Sequence, residues 1–236
     1  MTIDSRIAAL DWDRFAAQLH ERGWARTGPL LIKAERESLM GSYGEDSIFR
    51  STVVMARHGF GRGEYRYFAY PLPPLVRELR ESLYQRLLPV ANSWRASLGG
   101  EAFPSTYAEF LERCHAGGQT RPTPLLLRYG PGDYNCLHQD LYGESVFPLQ
   151  AAFLLSDPAE FEGGDFVLTE QRPRMQSRVQ VVPLQAGEAV IFAVNHRPVR
   201  GTRGTYRVAM RHGVSELRSG SRHTLGVIMQ DRKSVV

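Results

Sequence analysis

The segment PLLLRYGPGDYNCLHQDLYGE, residues 124–144, decides how the rest of the chain is interpreted. In it, an apolar run typical of a strand meets a Gly-Pro-Gly turn, and His138 and Asp140 follow two residues apart. Alternate residues of a strand point to the same face, so we expect these two side chains to project together. A histidine and a carboxylate on one face are a partial metal site, which needs a third ligand from elsewhere in the chain.

The half of the chain that contains this segment alternates short strand-like runs with turns such as EGGD and QAGE. β-branched and aromatic residues dominate the runs, and glycine marks the turns. About eight short strands separated by turns at regular intervals are typical of a jelly-roll barrel or sandwich. We predict strands at 124–129, 134–140, 147–155, 165–169, 178–183, 188–194, 206–212 and 222–229.

The first half of the chain is richer in helical patterns. Residues 11–22 place apolar side chains at helical spacing before a glycine, and a second helix is predicted over 74–98, opened by Pro73 and Pro74. Thr106 and Glu109 have the spacing of a capping box, which predicts a third helix from Thr106. Residues 49–70 alternate β-branched and aromatic residues around glycines, which predicts a β-hairpin.

Together these patterns predict an α+β fold in a single catalytic domain, residues 1–236. Residues 1–120 are expected to form a helical buttress with a β-hairpin lid, and residues 121–236 a double-stranded β-helix core of the jelly-roll, cupin-like kind.

Composition narrows the class of protein. The 236 residues include 42% hydrophobic and 23% charged residues, as in ordinary globular proteins, and no apolar run is long enough to span a bilayer. The first residues lack the apolar core of a signal peptide, so we expect a cytoplasmic protein that does not engage membranes. Two cysteines, Cys114 and Cys136, do not form a disulfide framework or a zinc-binding pattern.

The chain is mildly basic, with a net charge of +4 and a pI near 9.2. Only Lys33 and Lys233 are lysines, and every other basic residue is arginine. Arginine forks bind phosphate and carboxylate, which favours an anionic partner, while codon usage in a GC-rich genome is an equally good explanation.

Two downstream histidines could complete the metal site. His196 follows a predicted strand and starts a Pro/Gly/Arg loop, whereas His212 ends an alternating strand. Arg222 comes ten residues after His212 on the last predicted strand, where it could pair with a bound dicarboxylate. We therefore choose His212 as the third ligand of a two-histidine, one-carboxylate iron site and keep His196 as the alternative.

The segments RYGPGDYNCLHQD, 128–140, and RHGVSELRSGSRHTLGV, 211–227, resemble the Fe(II)/2-oxoglutarate dioxygenases. Among these they are most similar to AlkB-like nucleic-acid demethylases and to the bacterial nucleic-acid oxygenases grouped near AlkB. The similarity extends from about Tyr65 to Gln230 and includes the Arg-Tyr-x-Pro-Gly turn, His-Gln-Asp and the later His-Gly-aliphatic motif.

This resemblance implies Fe(II), 2-oxoglutarate as co-substrate and O2. It assigns the metal to the two histidines and the carboxylate named above, and 2-oxoglutarate to Tyr129, Arg222 and Thr224. The implied reaction converts 2-oxoglutarate to succinate and CO2 while a substrate C–H bond is hydroxylated. On an N-methyl group the product is a hemiaminal, which releases formaldehyde.

Three positions depart from the AlkB pattern. Tyr142 stands where an acidic group contacts the damaged base, Leu127 replaces an asparagine, and Ile228 replaces a second arginine. In addition, EGGDFVLTE, residues 162–170, is similar to a turn of prolyl hydroxylases.

For the substrate we predict contacts from aromatic and basic residues outside the iron site. The lid of the resembling family carries base-stacking aromatics, which points to His58, Tyr65 and Tyr67 in the hairpin. For Tyr67, burial against the helices is the stronger expectation. Five arginines between 197 and 211 could form a phosphate-contacting rim or a solvated face. The full set of predicted substrate residues is His58, Tyr65, Tyr67, Tyr142, Arg200 and Arg203.

The preferred function is AlkB-like oxidative dealkylation of single-stranded or damaged nucleic acid. The alternative is a 2-oxoglutarate-dependent hydroxylase of an amino acid, peptide or other small molecule. A barrel that binds metal and a dicarboxylate without catalysis is a weaker alternative, because the spacing of the three ligands together with Arg222 and Tyr129 favours an oxygenase.

Overall fold

The computed structural model describes residues 1–202 and 204–233. No helix in these ranges combines the length and apolar character needed to cross a membrane. The left-handed Gly23 ends the second helix, and reciprocal hydrogen bonds of Thr106 and Glu109 open the last one. The α-helices are α1 Ile3–Ala8, α2 Trp12–Arg22, α3 Lys33–Gly41, α4 Pro74–Ser97 and α5 Tyr107–Ala116.

The strands are short, and most of them fall where alternation predicts them. In chain order they are β1 Trp24–Pro29, β2 Phe49–Val54, β3 Gly61–Arg62, β4 Glu64–Phe68, β5 Gln119–Arg121, β6 Leu125–Tyr129, β7 Tyr134–His138, β8 Leu149–Leu154, β9 Phe161–Gly163, β10 Phe166–Gln171, β11 Arg178–Val182, β12 Glu188–Ala193, β13 His196–Gly201, β14 Gly204–Val214, β15 Leu217–Gly220, β16 Arg222–Val227 and β17 Arg232–Lys233.

Two antiparallel sheets form the core of the molecule. The larger sheet has the order β1-β12-β8-β16-β6-β4-β2, and the smaller sheet β11-β10-β14-β7-β3, with β13 paired to β14. Strands distant in sequence are neighbours in both sheets, as a jelly roll requires. This arrangement confirms the predicted double-stranded β-helix.

Apolar side chains fill the space between the sheets at one end. Phe166 of the smaller sheet packs on Phe192 of the larger sheet, with ring centroids 5.0 Å apart. The opposite face of the larger sheet is covered by helices, chiefly α4, whose buried residues include Leu79, Leu83 and Leu87. With one face on the helices and one on the smaller sheet, the larger sheet is buried on both sides, which explains its apolar strands.

The predicted hairpin forms, and it pairs with more than its own strands. β2 pairs with β4, β4 continues the larger sheet beside β6, and β3 pairs with β7 of the smaller sheet. These strands cover hydrogen-bonding edges that would otherwise be open. The predicted division of the chain at residue 120 stays a prediction, and strands from both sides of that residue share each sheet.

Candidate active site

The structure brings His138, Asp140 and His212 together, and we call them the metal triad. β7 and β14 pair so that His138 lies directly opposite His212, while Asp140 follows β7 by two residues. Asp140 Oδ1 is 3.6 Å from His138 Nε2, and its Oδ2 is 3.3 Å from His212 Nε2. One possible ligand atom from each residue lies within 4.8 Å of the others. This is the donor set of a non-haem iron site.

The charge states of the metal triad suit metal binding. His138 Nδ1 donates to the Cys136 carbonyl at 2.8 Å, which leaves the lone pair of Nε2 directed at the triad. Burial opposes ionisation of Asp140, but hydrogen bonds from His212 and Tyr142 hold its pKa well below its usual range. Burial lowers the pKa of His212 and so favours the neutral, ligating form.

Two further side chains hold the carboxylate of Asp140. Gln150 Nε2, from β8 of the larger sheet, donates to Oδ2 at 2.7 Å and lies 3.3 Å from His212 Nε2. The Tyr142 hydroxyl donates to Oδ1 at 2.6 Å and accepts from the Tyr67 hydroxyl at 3.2 Å. Gln150 thus joins the two sheets at the triad. Sequence reasoning missed it, and its only signal was one polar residue inside an apolar strand.

Arg222 and Tyr129 form a second polar group on the larger sheet. They are direct partners across β16 and β6, and both are buried, with Arg222 2% exposed. Among the described residues, neither the Tyr129 hydroxyl nor Nε and Nη1 of Arg222 has a hydrogen-bond partner. Buried polar groups are nearly always hydrogen-bonded, so these three unpartnered donor atoms indicate a ligand with acceptor oxygens. Thr224 follows Arg222 on the same face of β16.

Tyr129 and Arg222 are both in protonation states that can donate hydrogen bonds to an anion. Burial raises the pKa of Tyr129 to about 12, so its hydroxyl stays protonated and can donate. Burial lowers the pKa of Arg222, although a guanidinium remains charged at neutral pH.

The glycine pair of EGGDFVLTE explains how Arg222 fits beside the adjoining strand. Gly164 has a φ of +64°, and a Cβ there would lie 2.8 Å from Cδ of Arg222. A Cβ on Gly163 would lie 2.4 Å from the carbonyl oxygen of Glu216. The turn therefore lets the chain pass close to the buried arginine.

One cavity of about 360 Å³ contains both polar groups, a volume ordinary for small-molecule sites. The cavity is flanked by apolar side chains, among them Leu127 and Ile228, the residues that depart from the AlkB pattern. Phe60 and Leu137 stand at its opening, 47% and 45% exposed. The predicted residues that line it are His138, Asp140, His212, Tyr129, Arg222, Thr224, Tyr65, Tyr67 and Tyr142.

Other predicted residues lie apart from the cavity wall. His58 is exposed and stacks on Phe60, with ring centroids 5.3 Å apart. Arg200 is exposed on β13 and is not brought to the cavity, and Arg203 lies outside the described residues. His196, the alternative third ligand, begins β13 and is not part of the triad cluster.

The idea of an arginine rim from 197 to 211 is wrong for Arg197. This side chain is 2% exposed and pairs with buried Glu170, Nη2 to Oε2, at 2.7 Å. Its burial follows from strand pairing, because Arg197 lies opposite Val208 on β14, whose side chain faces the core. Arg232, which sequence reasoning did not select, does line the cavity.

Comparisons with known proteins agree with this geometry. Residues 63–232 match the Oxygenase-NA family model, described as an oxygenase "catalysing oxidative methylation of damaged DNA". The chain is also 45% identical over 222 residues to "Uncharacterized protein Rv2227" of Mycobacterium tuberculosis (strain ATCC 25618 / H37Rv), which covers 93% of this chain and 90% of that protein.

Solved structures share the fold at low identity. A Pseudomonas putida prolyl-4-hydroxylase superposes with a TM-score of 0.56 at 14% identity, covering 94% of this chain and 100% of that one. A 2OG-Fe(II) oxygenase family oxidoreductase from Burkholderia pseudomallei gives 0.54 at 15% identity, with coverage of 95% and 94%. These likenesses bear out the predicted fold class.

Proposed function

The chain belongs to the Oxygenase-NA family, and from that premise we propose that it removes N-alkyl groups from damaged nucleic acid by oxidation. It is an Fe(II)- and 2-oxoglutarate-dependent dioxygenase. The observation that carries the proposal is a single cavity that combines the metal triad, the unpartnered Arg222 and Tyr129, and aromatic side chains at its opening.

The metal triad fits Fe(II). Two imidazoles and one carboxylate on one side of an ion leave positions open for a chelating 2-oxo acid and for O2. In the protein, His138 offers Nε2, His212 is held neutral by burial, and Asp140 is ionised. When bound, iron with 2-oxoglutarate and O2 supplies oxidation of a substrate C–H bond, with release of succinate and CO2.

The buried pair fits the distal carboxylate of 2-oxoglutarate. Arg222 offers two unpartnered nitrogen atoms, Nε and Nη1, and Tyr129 a hydroxyl, and a carboxylate oxygen can accept from each. Charge-assisted hydrogen bonds of this kind are short, strong and directional. We assign Arg222 and Tyr129, with Thr224 beside them, to binding and orienting the co-substrate.

The opening of the cavity suits a planar base. Phe60 and Leu137 are half exposed there, and His58 extends the Phe60 ring outward by stacking. Deeper in the cavity Tyr65 and Tyr67 meet edge to face, 5.3 Å between ring centroids. A base taken out of its stack is held by such aromatic and apolar surfaces, and its N-methyl group would then approach the metal triad.

The residues of the chain also control water and the carboxylate geometry. Tyr142 and Gln150 fix both oxygens of Asp140, so its orientation is set before any ligand enters. Leu127 and Ile228 replace polar groups along the wall and lower its affinity for water. Hydroxylation of an N-methyl group in this cavity gives a hemiaminal, which releases formaldehyde and the repaired base.

The second candidate, hydroxylation of an amino acid or peptide, rested on the prolyl-hydroxylase-like turn. In the structure Gly163 and Gly164 of that turn pack against Glu216 and Arg222. Their likeness therefore concerns the co-substrate side of the cavity, and it does not favour a peptide substrate over a base.

The test is release of succinate and formaldehyde from Fe(II), ascorbate and 2-oxoglutarate with an N-methylated single-stranded oligonucleotide. Its unmethylated twin and the His138→Ala protein are the controls. We expect both products only with the methylated strand and the unsubstituted protein. Succinate without formaldehyde, unaffected by the oligonucleotide, would refute the nucleic-acid proposal and direct the search to amino acids and peptides.

A further inference from the structure

Tyr65, Tyr67 and Tyr142 line one side of the cavity, which we call the tyrosine wall. Three arginines lie beside it, and we call them the arginine cluster: Arg50 of β2, Arg121 of β5 and Arg232 of β17. The Cζ atoms of Arg50 and Arg232 lie 4.3 Å and 5.5 Å from the centroid of the same ring, that of Tyr67. Arg121 is the direct strand partner of Arg232, so their side chains share one face of the β5–β17 ladder.

Within the described ranges 1–202 and 204–233, no carboxylate forms an ion pair with the arginine cluster, although the charge of Asp231 acts on Arg50 from a distance. Asp231 is buried and already pairs with Arg80 and His115, while Glu144 pairs with Lys233. Like charges held together without an ion-pair partner of their own destabilise a fold, so such a group favours binding of an external anion.

Arg50 is the member whose binding capacity is most clearly unused. Its Nε donates to the Pro122 carbonyl at 2.9 Å and its Nη1 to Ser51 Oγ at 3.3 Å, but buried Nη2 has no partner among the described residues. Burial lowers the pKa of Arg50, the charges of Arg232 and Arg121 lower it further, and Tyr67 and Asp231 offset only part of this shift. An anion bound here would accept a hydrogen bond from Nη2 and would offset the repulsion among the three positive charges.

The position of the cluster relates it to the reaction site. Arg232 lines the cavity, and its Cζ lies 5.3 Å from the ring centroid of Tyr142. The hydroxyl of that same Tyr142 donates to Asp140 of the metal triad. One tyrosine side chain therefore separates the cationic group from the metal ligands, so an anion at the cluster adjoins whatever occupies the cavity.

We propose that the arginine cluster binds a phosphate of the strand whose base enters the cavity. The sugar would span the tyrosine wall, with the base inside and the phosphate on Arg50, Arg121 and Arg232. Guanidinium forks match phosphate oxygens in charge and geometry. This inference rests on the proposed function and adds the location of a backbone contact to it.

The test is fluorescence anisotropy of a labelled, N-methylated single-stranded oligonucleotide with Mn(II)-loaded protein, over a series of KCl concentrations. The variants are Arg232→Gln, Arg50→Gln and Arg121→Gln. Arg121 is exposed, so its loss leaves folding intact, and a thermal melt checks the other two. Arg86→Gln, an exposed arginine on helix α4, is the matched control.

Each cluster variant is expected to weaken binding about tenfold and to reduce the slope of log K against log salt by about 0.7, the value for one contact to a single strand. The control variant should change neither quantity. A nucleoside monophosphate and its unphosphorylated nucleoside, titrated in parallel, separate a free nucleotide from a strand as the source of the phosphate. If the monophosphate binds as tightly as the strand, a free nucleotide is the ligand.

The outcomes also separate this inference from the proposed function. Formaldehyde release with unchanged salt slopes in all three variants would overturn the arginine cluster and leave demethylation intact. Slopes that depend on the cluster without formaldehyde release would support the phosphate site and overturn demethylation. If neither oligonucleotide nor monophosphate binds, the phosphate site is wrong.

Discussion

Replacing Arg222 with glutamine tests the co-substrate site most directly. Arg222 is 2% exposed, and its free Nε and Nη1 atoms are expected to donate to one carboxylate. Hydrogen bonds to charged groups contribute about 1.5–3 kcal/mol each, and the lost partner leaves a buried carboxylate unpaired. We expect a loss of about 3–4 kcal/mol, which weakens 2-oxoglutarate binding by roughly 10²–10³-fold.

The measurement is calorimetric titration of Mn(II)-loaded protein with two 2-oxo acids. 2-Oxobutyrate lacks the distal carboxylate, so the unsubstituted protein should prefer 2-oxoglutarate by roughly the same 10²–10³-fold. In Arg222→Gln this preference should fall to about fivefold, because the Tyr129 hydroxyl still donates to the distal carboxylate while the arginine no longer does. Tyr129→Phe removes one neutral donor and should weaken 2-oxoglutarate binding about fivefold.

Metal affinity gives the internal control for this experiment. Arg222 lies on the larger sheet and forms no hydrogen bond or ion pair with the metal triad, so Mn(II) affinity should stay unchanged in Arg222→Gln. Arg86→Gln on helix α4 controls for the loss of one positive charge. A variant that keeps its full preference for 2-oxoglutarate, or loses metal and co-substrate together, would refute the assignment.

Four other substitutions or conditions probe the rest of the site. Tyr142→Phe removes the donor to Asp140 and should lower Mn(II) affinity about tenfold by calorimetry; unchanged affinity would deny the hydroxyl a role. Gly164→Ala places a side chain at a φ of +64° against buried Arg222. Chemical denaturation should therefore show a free energy of unfolding lower by about 1–2 kcal/mol, and equal stability would contradict the packing argument. Because burial lowers the pKa of His212, the metal-free protein should lose stability as pH falls below about 6.5, where the unfolded chain takes up the proton, and His212→Asn should show a shallower decline in Tm. Arg197→Met breaks a buried ion pair and should reduce the free energy of unfolding by about 3 kcal/mol, while oligonucleotide binding at a fixed folded concentration stays the same.

The metal triad could be predicted because strand alternation fixes which residues share a face. His138 and Asp140 needed only the two-residue period, and His212 needed the choice of one histidine at the end of an alternating strand. Gln150 could not be placed in the same way. Its contact with Asp140 depends on how β8 of the larger sheet passes the end of β7, and periodicity says nothing about sheet packing.

The fold was predictable where hydrophobic alternation is strong and was missed where tertiary pairing alone makes a strand. β1, Trp24–Pro29, ends in Gly28 and Pro29, residues typical of turns, and it becomes a strand by pairing with β12. Arg197 shows the same limit for side chains. Its charge suggested solvent exposure, but a buried carboxylate, Glu170, holds it inside.

The division of polar groups between the two sheets sets a length for the co-substrate. The metal triad is anchored on the smaller sheet, while Arg222 and Tyr129 belong to the larger one. The distance between the two sheets therefore sets the distance between the two ends of the co-substrate site. A 2-oxo diacid one methylene shorter or longer would reach one end of the site and miss the other. Side chains packed between the sheets, such as Phe166 on Phe192, fix this distance. They therefore influence which 2-oxo acid binds, although they take no part in the reaction.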